Sequence, residues 1–316
     1  MKKNILFIAP CFHGYEQHII NKLIEKNYNV SFYPERTYDF WFKCANHISE
    51  SVLEKKQYNH YMNILKSTEG FHFDYLFVIR GYKIPADFLR GFRKNNPESQ
   101  MIMYQWDSNF TNPFSGVIQY FDIVYSFDYR DCKELSINYL PLFYTDDVLS
   151  SEYTEDFSSD FFFMGTYIPE RYSALKHFKE KIKETPYKLN SFIYITKTSH
   201  LKEIFKGNKL DRSIVSTCHM DRKTYLAMLH STKVMVDVSN NGQTGLAMRI
   251  IEALTLKKKV MTSNPYIKEE PFYNPDNIFV FDANSPIICD EFVNTPFKGI
   301  PHTLSLSCWI DRMVLS

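Results

Sequence analysis

The chain reads as an α/β protein made of two Rossmann-like halves. Three observations predict this. Short apolar runs alternate with helical patterns from end to end. The alternation breaks once, at an acidic, Ser-rich stretch, and then resumes. The length, 316 residues, suits two domains of ordinary size.

The first half opens on Ile5–Ala9, an apolar run that stops at Pro10. Further buried strands are expected at Val30–Tyr33, Tyr75–Ile79, Met101–Gln105 and Ile123–Ser126, each rich in Ile, Val, Phe, Tyr or Met. Between them, Glu16–Lys26 carries Ile19, Ile20, Leu23 and Ile24 at helical spacing. Ile84–Asn95 has Pro85 in its first turn and an apolar face of Phe88, Leu89 and Phe92. The polar stretch from Thr145 to Asp156 is expected to be a linker.

The second half repeats the pattern without repeating the sequence. Strands are expected at Asp160–Met164, Leu189–Ile195, Lys233–Val238, Lys259–Thr262 and Asn277–Phe281. Helices are expected at Arg171–Lys183, at Asp221–Ser231 with Asp221 as N-cap, and at Thr244–Leu256. The tail Leu304–Val314, with Trp309 and Met313, reads as a last helix. The expected domains are 1–148 and 149–300. Residues 301–316 are expected to pack back across both. Two such halves would face a central cleft, and ligands of open α/β sheets bind beyond the carboxyl ends of the strands.

Composition excludes several classes. A net charge of +1, from 37 Lys and Arg against 36 Asp and Glu, argues against a partner held by broad phosphate neutralisation, so no nucleic acid is expected. An apolar content of 44 % excludes a mostly disordered chain. The 10 glycines are scattered, which excludes a glycine-rich dinucleotide or P-loop. Six separated cysteines form no CxxC pair, so neither zinc nor a disulfide framework is suggested, and a reducing cytoplasm fits. The five-residue run at the start is too short for a signal or a span, so at most a peripheral inner-membrane association is expected.

The sharpest segment is Ser239–Leu254. A helix starting near Thr244 would aim the free N–H groups of Gln243, Thr244 and Gly245 at an anion. At about 100° per residue, Gly245, Arg249 and Glu252 would share one face. That makes a ruler for a nucleotide-sugar: diphosphate at the helix start, Arg249 for charge, Glu252 for ribose hydroxyls. The same spacing also allows a plain surface ion pair between Arg249 and Glu252. Gly165 and Thr166 follow a strand and precede Arg171, so a turn there would hold phosphate or simply join strand to helix. His13 follows the first strand and has a pKa suited to a general base, with Glu16 three residues on to orient it or replace it. Asp107 follows the strand ending near Trp106 and is a rival base, or a turn residue. Arg80 lies after Tyr75–Ile79, where it binds acceptor or phosphate or closes a turn. Lys197 is placed to help the diphosphate, or is a solvated lysine.

These residues carry a family resemblance. Thr244–Leu254, followed by Lys257–Asn264, resembles the donor-binding helix of GT-B glycosyltransferases, in particular CgeB-like and capsule or lipopolysaccharide-type bacterial enzymes. Pro10–Ile20, Tyr104–Ser108, Val124–Asp128, Leu140–Tyr144 and Phe163–Tyr167 with Arg171 are similar to other parts of that family, in the same order. The resemblance implies a GT-B fold and transfer of a sugar from a nucleotide-sugar donor to a saccharide or lipid-linked acceptor in surface polysaccharide synthesis. It implies donor contacts at Gly165, Thr166, Arg171, Gln243, Thr244, Gly245, Arg249 and Glu252, and acceptor-side contacts at Arg80 and Trp106. Many retaining members carry two glutamates, and the partner of Glu252 would fall on Thr244. The retaining pair is therefore absent, which leaves stereochemistry open and leans toward inversion. No Asp-x-Asp occurs and the histidines lack metal spacing, so no metal or other cofactor is expected. A nucleotide-sugar epimerase and a non-catalytic sugar-binding protein on the same fold are the alternatives.

Overall fold

The computed structural model describes residues 2–37, 50–150, 159–240, 242–299 and 304–314. By its contacts the chain divides into two compact units, Met1–Pro141 with Leu306–Ser316, and Leu142–Ser305.

The first unit is built on a six-stranded sheet. Its strands are β1 (Asn4–Ala9), β2 (Asn29–Pro34), β3 (Tyr75–Ile79), β4 (Gln100–Gln105), β5 (Ile123–Ser126) and β6 (Asn138–Tyr139). They run parallel in the order β2-β1-β3-β4-β5-β6. β3 is buried along its whole length and β1 over Ile5–Ala9, as strands covered on both faces require. Register places Phe7 opposite both Phe32 and Phe77, and the rings of Phe7 and Phe77 stack at 5.1 Å. The helix Tyr15–Glu25 buries Tyr15, Ile19 and Leu23, one per turn. The helix Ala86–Asn95 starts after Pro85, with Asp87 in its first turn and Arg93 and Lys94 in its last, which suits the dipole at both ends. A long helix, Glu50–Ser67, was not expected. It buries Leu53, Gln57, Tyr61 and Ile64, and the polar Gln57 at a core position breaks the apolar stripe that would have announced it.

The second unit holds β7 (Ser159–Thr166), β8 (Leu189–Tyr194), β9 (Val215–Ser216), β10 (Thr232–Asp237), β11 (Lys259–Thr262) and β12 (Ile278–Val280). They are parallel in the order β12-β11-β10-β7-β8-β9. Counted within the unit this is 3-2-1-4-5-6, the Rossmann order. The helices Pro169–Ile182, Lys197–Phe205, Arg222–Ser231 and Met248–Thr255 connect the strands, and Asp290–Asn294 follows the last of them. Asp221 caps its helix by accepting from the Thr224 N–H at 2.9 Å.

Part of the expected linker, residues 151–156, lies outside the described residues. The part before it is tied into the second unit. Asp147 pairs with Arg222 at 2.9 Å, and the Val148 carbonyl lies 3.1 Å from His230 Nε2.

The helix Leu306–Val314 packs on the first unit. Trp309 is fully buried, edge-on to Tyr104 at 4.7 Å and tilted against Phe77 at 6.2 Å. Lys26 pairs with Asp311 at 2.6 Å, and the Tyr125 hydroxyl donates to the Arg312 carbonyl at 3.1 Å. Truncating so large a buried ring leaves a cavity. Trp309→Ala should cost the first unit about 3–5 kcal/mol. Urea unfolding would read this as an earlier first transition, and an unchanged midpoint would contradict it.

Candidate functional site

In the second unit the order reverses between β7 and β10. The chain leaves β7 toward β8 on one side and leaves β10 toward β11 on the other. That is the topological switch point, where open α/β sheets hold their ligands. The residues there form a charged cluster. Asp237 ends β10 and is 1 % exposed. Its carboxylate pairs with Arg249 at 2.5 Å and accepts from the Thr262 hydroxyl at 2.7 Å. Arg171 comes in from the helix after β7. Its Nε donates to the Val238 carbonyl at 3.0 Å and its Nη1 to the Thr166 carbonyl at 2.7 Å.

Burial, and then the neighbouring Arg249 charge, pull the Arg171 pKa down to about 10, against the opposing pull of Asp237. Arg171 therefore remains a cation at neutral pH. Two guanidiniums neighbour one carboxylate, which pairs with Arg249 while Arg171 bonds to backbone carbonyls, and a net positive charge stays at the switch point. Gly165 makes room for this. A Cβ there would lie 3.2 Å from the Phe163 ring and 3.4 Å from Arg171 Cδ, so the arginine stem passes where a side chain would stand. Arg249 also lies over the Phe163 ring at 5.8 Å.

Two expectations need correction here. Gly165 and Thr166 are not a turn; they are the last residues of β7, in register with Ile193 and Tyr194. The helix expected from Thr244 begins at Met248, with Ala247 as its extended N-cap. The segment before it is tied down elsewhere: the buried amide of Asn264 donates to the Thr244 carbonyl at 2.9 Å and the Gly245 carbonyl at 3.3 Å. Gln243 adds a contact from its amide to the Gly245 carbonyl at 3.3 Å. Thr244 and Gly245 are buried, so the N–H groups that open the helix belong to residues after Ala247.

Arg249 and Glu252 also part company. Glu252 is 1 % exposed. It pairs with Arg222 at 2.7 Å and accepts from the Tyr225 hydroxyl at 2.5 Å. The surface ion pair between Arg249 and Glu252 does not form. Glu252 is part of a chain of charges running through Arg222 to Asp147.

The first unit reverses between β1 and β3, and the loops after those strands are strained. His13 and Gly14 have φ of 51° and 79°, and Arg80 and Gly81 have 65° and 64°. At Gly81 a Cβ would come within 2.9 Å of Val78 Cγ1. His13 is exposed and meets the Phe12 ring edge-on at 4.4 Å. Glu16 accepts from the Phe12 N–H at 3.0 Å, so it shapes the loop after β1. Phe12 in turn lies 6.2 Å from Trp106.

Arg80 is the hub. Its guanidinium pairs with fully buried Glu35 and with Asp107 at 3.3 Å. Its carbonyl accepts from the Gln105 amide at 2.8 Å. Glu35 also accepts from the Tyr82 N–H at 2.9 Å. Asp107 is thus set by an ion pair and keeps 30 % of its side chain exposed.

The structure therefore gathers Arg171 and Arg249 with Gly165 and Thr166 at one switch point, and His13, Glu16, Arg80, Trp106 and Asp107 around the strand ends of the other unit. It does not bring Gln243, Thr244 and Gly245 to a helix start. Sequence reasoning missed Asp237 and Glu35. Asp237 had a signal: a lone acid at the end of Val234–Val238, a strand otherwise fully apolar after Lys233. Glu35 had only its place, one residue beyond β2.

No family model matches the chain, and no curated protein matches it by sequence. Solved structures do resemble it. A UDP-forming α,α-trehalose-phosphate synthase from Burkholderia xenovorans aligns over 98 % of both chains with a TM-score of 0.62 and 10 % identity. A putative UDP-N-acetylglucosamine 2-epimerase from Listeria monocytogenes aligns over 98 % of this chain and 94 % of its own, with a TM-score of 0.57 and 7 % identity. The fold is GT-B. A glycosyltransferase of avilamycin A biosynthesis shares it, at a TM-score of 0.53 and 12 % identity over 98 % of this chain and 92 % of that one. At such identities the likeness is one of fold, and it agrees with two GT-B halves each built on a parallel sheet. Among the described residues, no group of three or more His, Cys, Asp or Glu is placed to hold a metal ion, and no helix is long and apolar enough to cross a membrane.

The switch-point cluster makes a two-sided prediction. Asp237→Asn leaves two neighbouring guanidiniums without their carboxylate and should destabilise the second unit by about 3–5 kcal/mol. Phosphate should then raise its melting temperature more than it raises that of the unchanged protein. Equal shifts would show that the anion does not bind these arginines.

A pH prediction concerns the loop that carries Trp106 and Asp107. Asp131 anchors it by accepting from the Asn109 N–H at 2.6 Å. Burial pushes the Asp131 carboxyl from its ordinary 3.8 up to about 6, despite that hydrogen bond. Between those values the folded chain holds a proton that the unfolded chain has lost. Its contribution to stability is therefore present below about pH 4 and is lost as pH rises to about 6. Asp131→Asn should flatten that part of the profile and stabilise the protein at pH 7 relative to pH 4. Parallel urea-midpoint profiles for the two proteins would refute this.

Proposed function

We propose that this chain is a glycosyltransferase that moves a sugar from a nucleotide-sugar donor to a saccharide or lipid-linked acceptor. The observation that carries the reading is the pair Arg171 and Arg249 around Asp237 at the Rossmann switch point. A surplus cation held in place before the ligand arrives is what a leaving nucleoside diphosphate needs, because preorganised charge stabilises it without reorganisation. A trehalose-phosphate synthase described as UDP-forming shares the fold, and so does a protein solved with UDP, at a TM-score of 0.56 and 10 % identity. In this reading the arginines replace a divalent metal, and activity should survive chelation.

The first unit supplies the acceptor side. Its switch point gathers two carboxylates around one guanidinium, with His13 on the loop after the neighbouring strand. The base is His13 or Asp107, with Glu16 holding the loop of His13 and with Arg80 and Trp106 framing the acceptor. Glu252 supports the donor site through Arg222 and Tyr225. The setting in surface polysaccharide synthesis at the cytoplasmic face of a membrane follows from the sequence resemblance. The second reading, a nucleotide-sugar epimerase, is favoured by the fold shared with 2-epimerases. It would convert the donor with no acceptor present, whereas a transferase releases nucleoside diphosphate only when an acceptor is supplied.

Thermal-shift assays with UDP-, GDP- and CMP-linked compounds should show stabilisation by one nucleotide class. Arg249→Ala should weaken that binding by about 10- to 100-fold, the equivalent of a charge-assisted hydrogen bond or two. Loss of the true base should cut turnover by about 100-fold or more with donor affinity unchanged, so His13→Ala and Asp107→Asn identify it. Absence of a shift with every nucleotide would sink the proposal.

A further inference from the structure

The helix Lys197–Phe205 has no part in either switch point, and its outer face is unusual. Leu201, Ile204 and Phe205 are 54 %, 52 % and 87 % exposed. At the spacing i, i+3, i+4 they form one apolar patch on one side of the helix. Lys197 lies one turn before Leu201, Lys202 flanks the patch, and Lys206 and Lys209 follow the helix. The single acid of the helix, Glu203, faces the other way. It is buried, and accepts from the Asn208 amide at 2.7 Å and Lys206 at 3.0 Å. The acid that follows, Asp211, is held by Lys179 at 2.9 Å and by the Ser213 hydroxyl at 2.6 Å. The outer face is therefore apolar at its centre, basic at its edges and free of outward acids over one helix length.

We propose that this helix docks the protein on an anionic lipid surface. A short helix with Leu and Phe on one side and lysines at its flanks inserts its apolar side at the headgroup boundary, while the lysines meet anionic lipid. Long lysine stems reach past the apolar patch to keep their ammonium groups at that boundary. A protein partner fits less well, because three side chains fall far short of the roughly 20–30 residues a side that a stable protein interface uses.

The full chain would be sedimented with vesicles of phosphatidylcholine alone and of phosphatidylcholine with phosphatidylglycerol. It should bind the second kind only, and salt should release it. Leu201→Ser with Phe205→Ser should reduce vesicle binding by at least about tenfold, since two apolar side chains no longer insert. Lys202→Glu with Lys209→Glu should reduce binding as much and flatten its salt dependence. Both variants alter exposed residues, so their melting temperatures and nucleotide-induced shifts should match the unchanged protein. That control separates this proposal from the nucleotide reading, which stands or falls by itself. Failure of the chain to bind anionic vesicles, or full binding by either variant, would overturn the docking proposal. So would a dimer in light scattering that the serine variant dissociates, because the patch would then be an interface between copies.

Discussion

A single carboxylate between two guanidiniums is the constraint around which the second unit is arranged. Asp237 is placed by β10, and its buried charge has to be met. Arg249 meets it from the helix beyond β10, and Thr262 from the end of β11. Arg171 is drawn into the same neighbourhood from beyond β7 and spends its hydrogen bonds on backbone carbonyls. One acid thus fixes Arg249 and Thr262, with Arg171 held beside them by backbone carbonyls. Because it answers only one of two positive charges, the place it organises keeps a surplus positive charge.

The first unit solves the converse problem. There one guanidinium, Arg80, stands between two carboxylates, and its backbone is held in the left-handed region to put it there. The two switch points therefore carry opposite surplus charge on the same kind of scaffold. The same architecture supports both because the strand ends differ in their residues, while the sheets do not.

Most of the strands were legible in the sequence because the central ones are buried on both faces and so read as continuous apolar runs. Ile5–Ala9, which starts one residue earlier in the structure, and Tyr75–Ile79, which matches it, are examples, while the two-residue strands β6 and β9 carry no such run and were not expected. What was not legible depends on distant partners. The segment before the helix start at Met248 is tied to Asn264, beyond the next strand, whose amide donates to the Thr244 and Gly245 carbonyls, a partnership the local pattern does not announce. The fate of Glu252 is decided by Arg222 and Tyr225, thirty and twenty-seven residues before it. Periodicity put Arg249 and Glu252 on one ruler, whereas the packing of neighbouring elements sends them to different partners. Of the site residues, those named from strand ends, such as Arg80, Asp107 and Arg171, did meet charged or polar neighbours there. Glu35 escaped notice because nothing in its local sequence marks it as buried.

The chain leaves the first unit at Pro141 and returns to it at Leu306. Next to these crossings, Tyr144 and Ser305 pair as a parallel bridge. Trp309, which fills the space under Phe77 and Tyr104, is therefore made after the entire second unit. During synthesis the first sheet must wait with an unfilled hollow in its core while some 160 residues of another unit are made and fold. Order of birth and order of completion are thus inverted: the unit begun first is finished last. Nascent chains stalled before the final helix should accordingly offer chaperones an apolar surface on the β3–β4 face, and that surface disappears when the last turn docks.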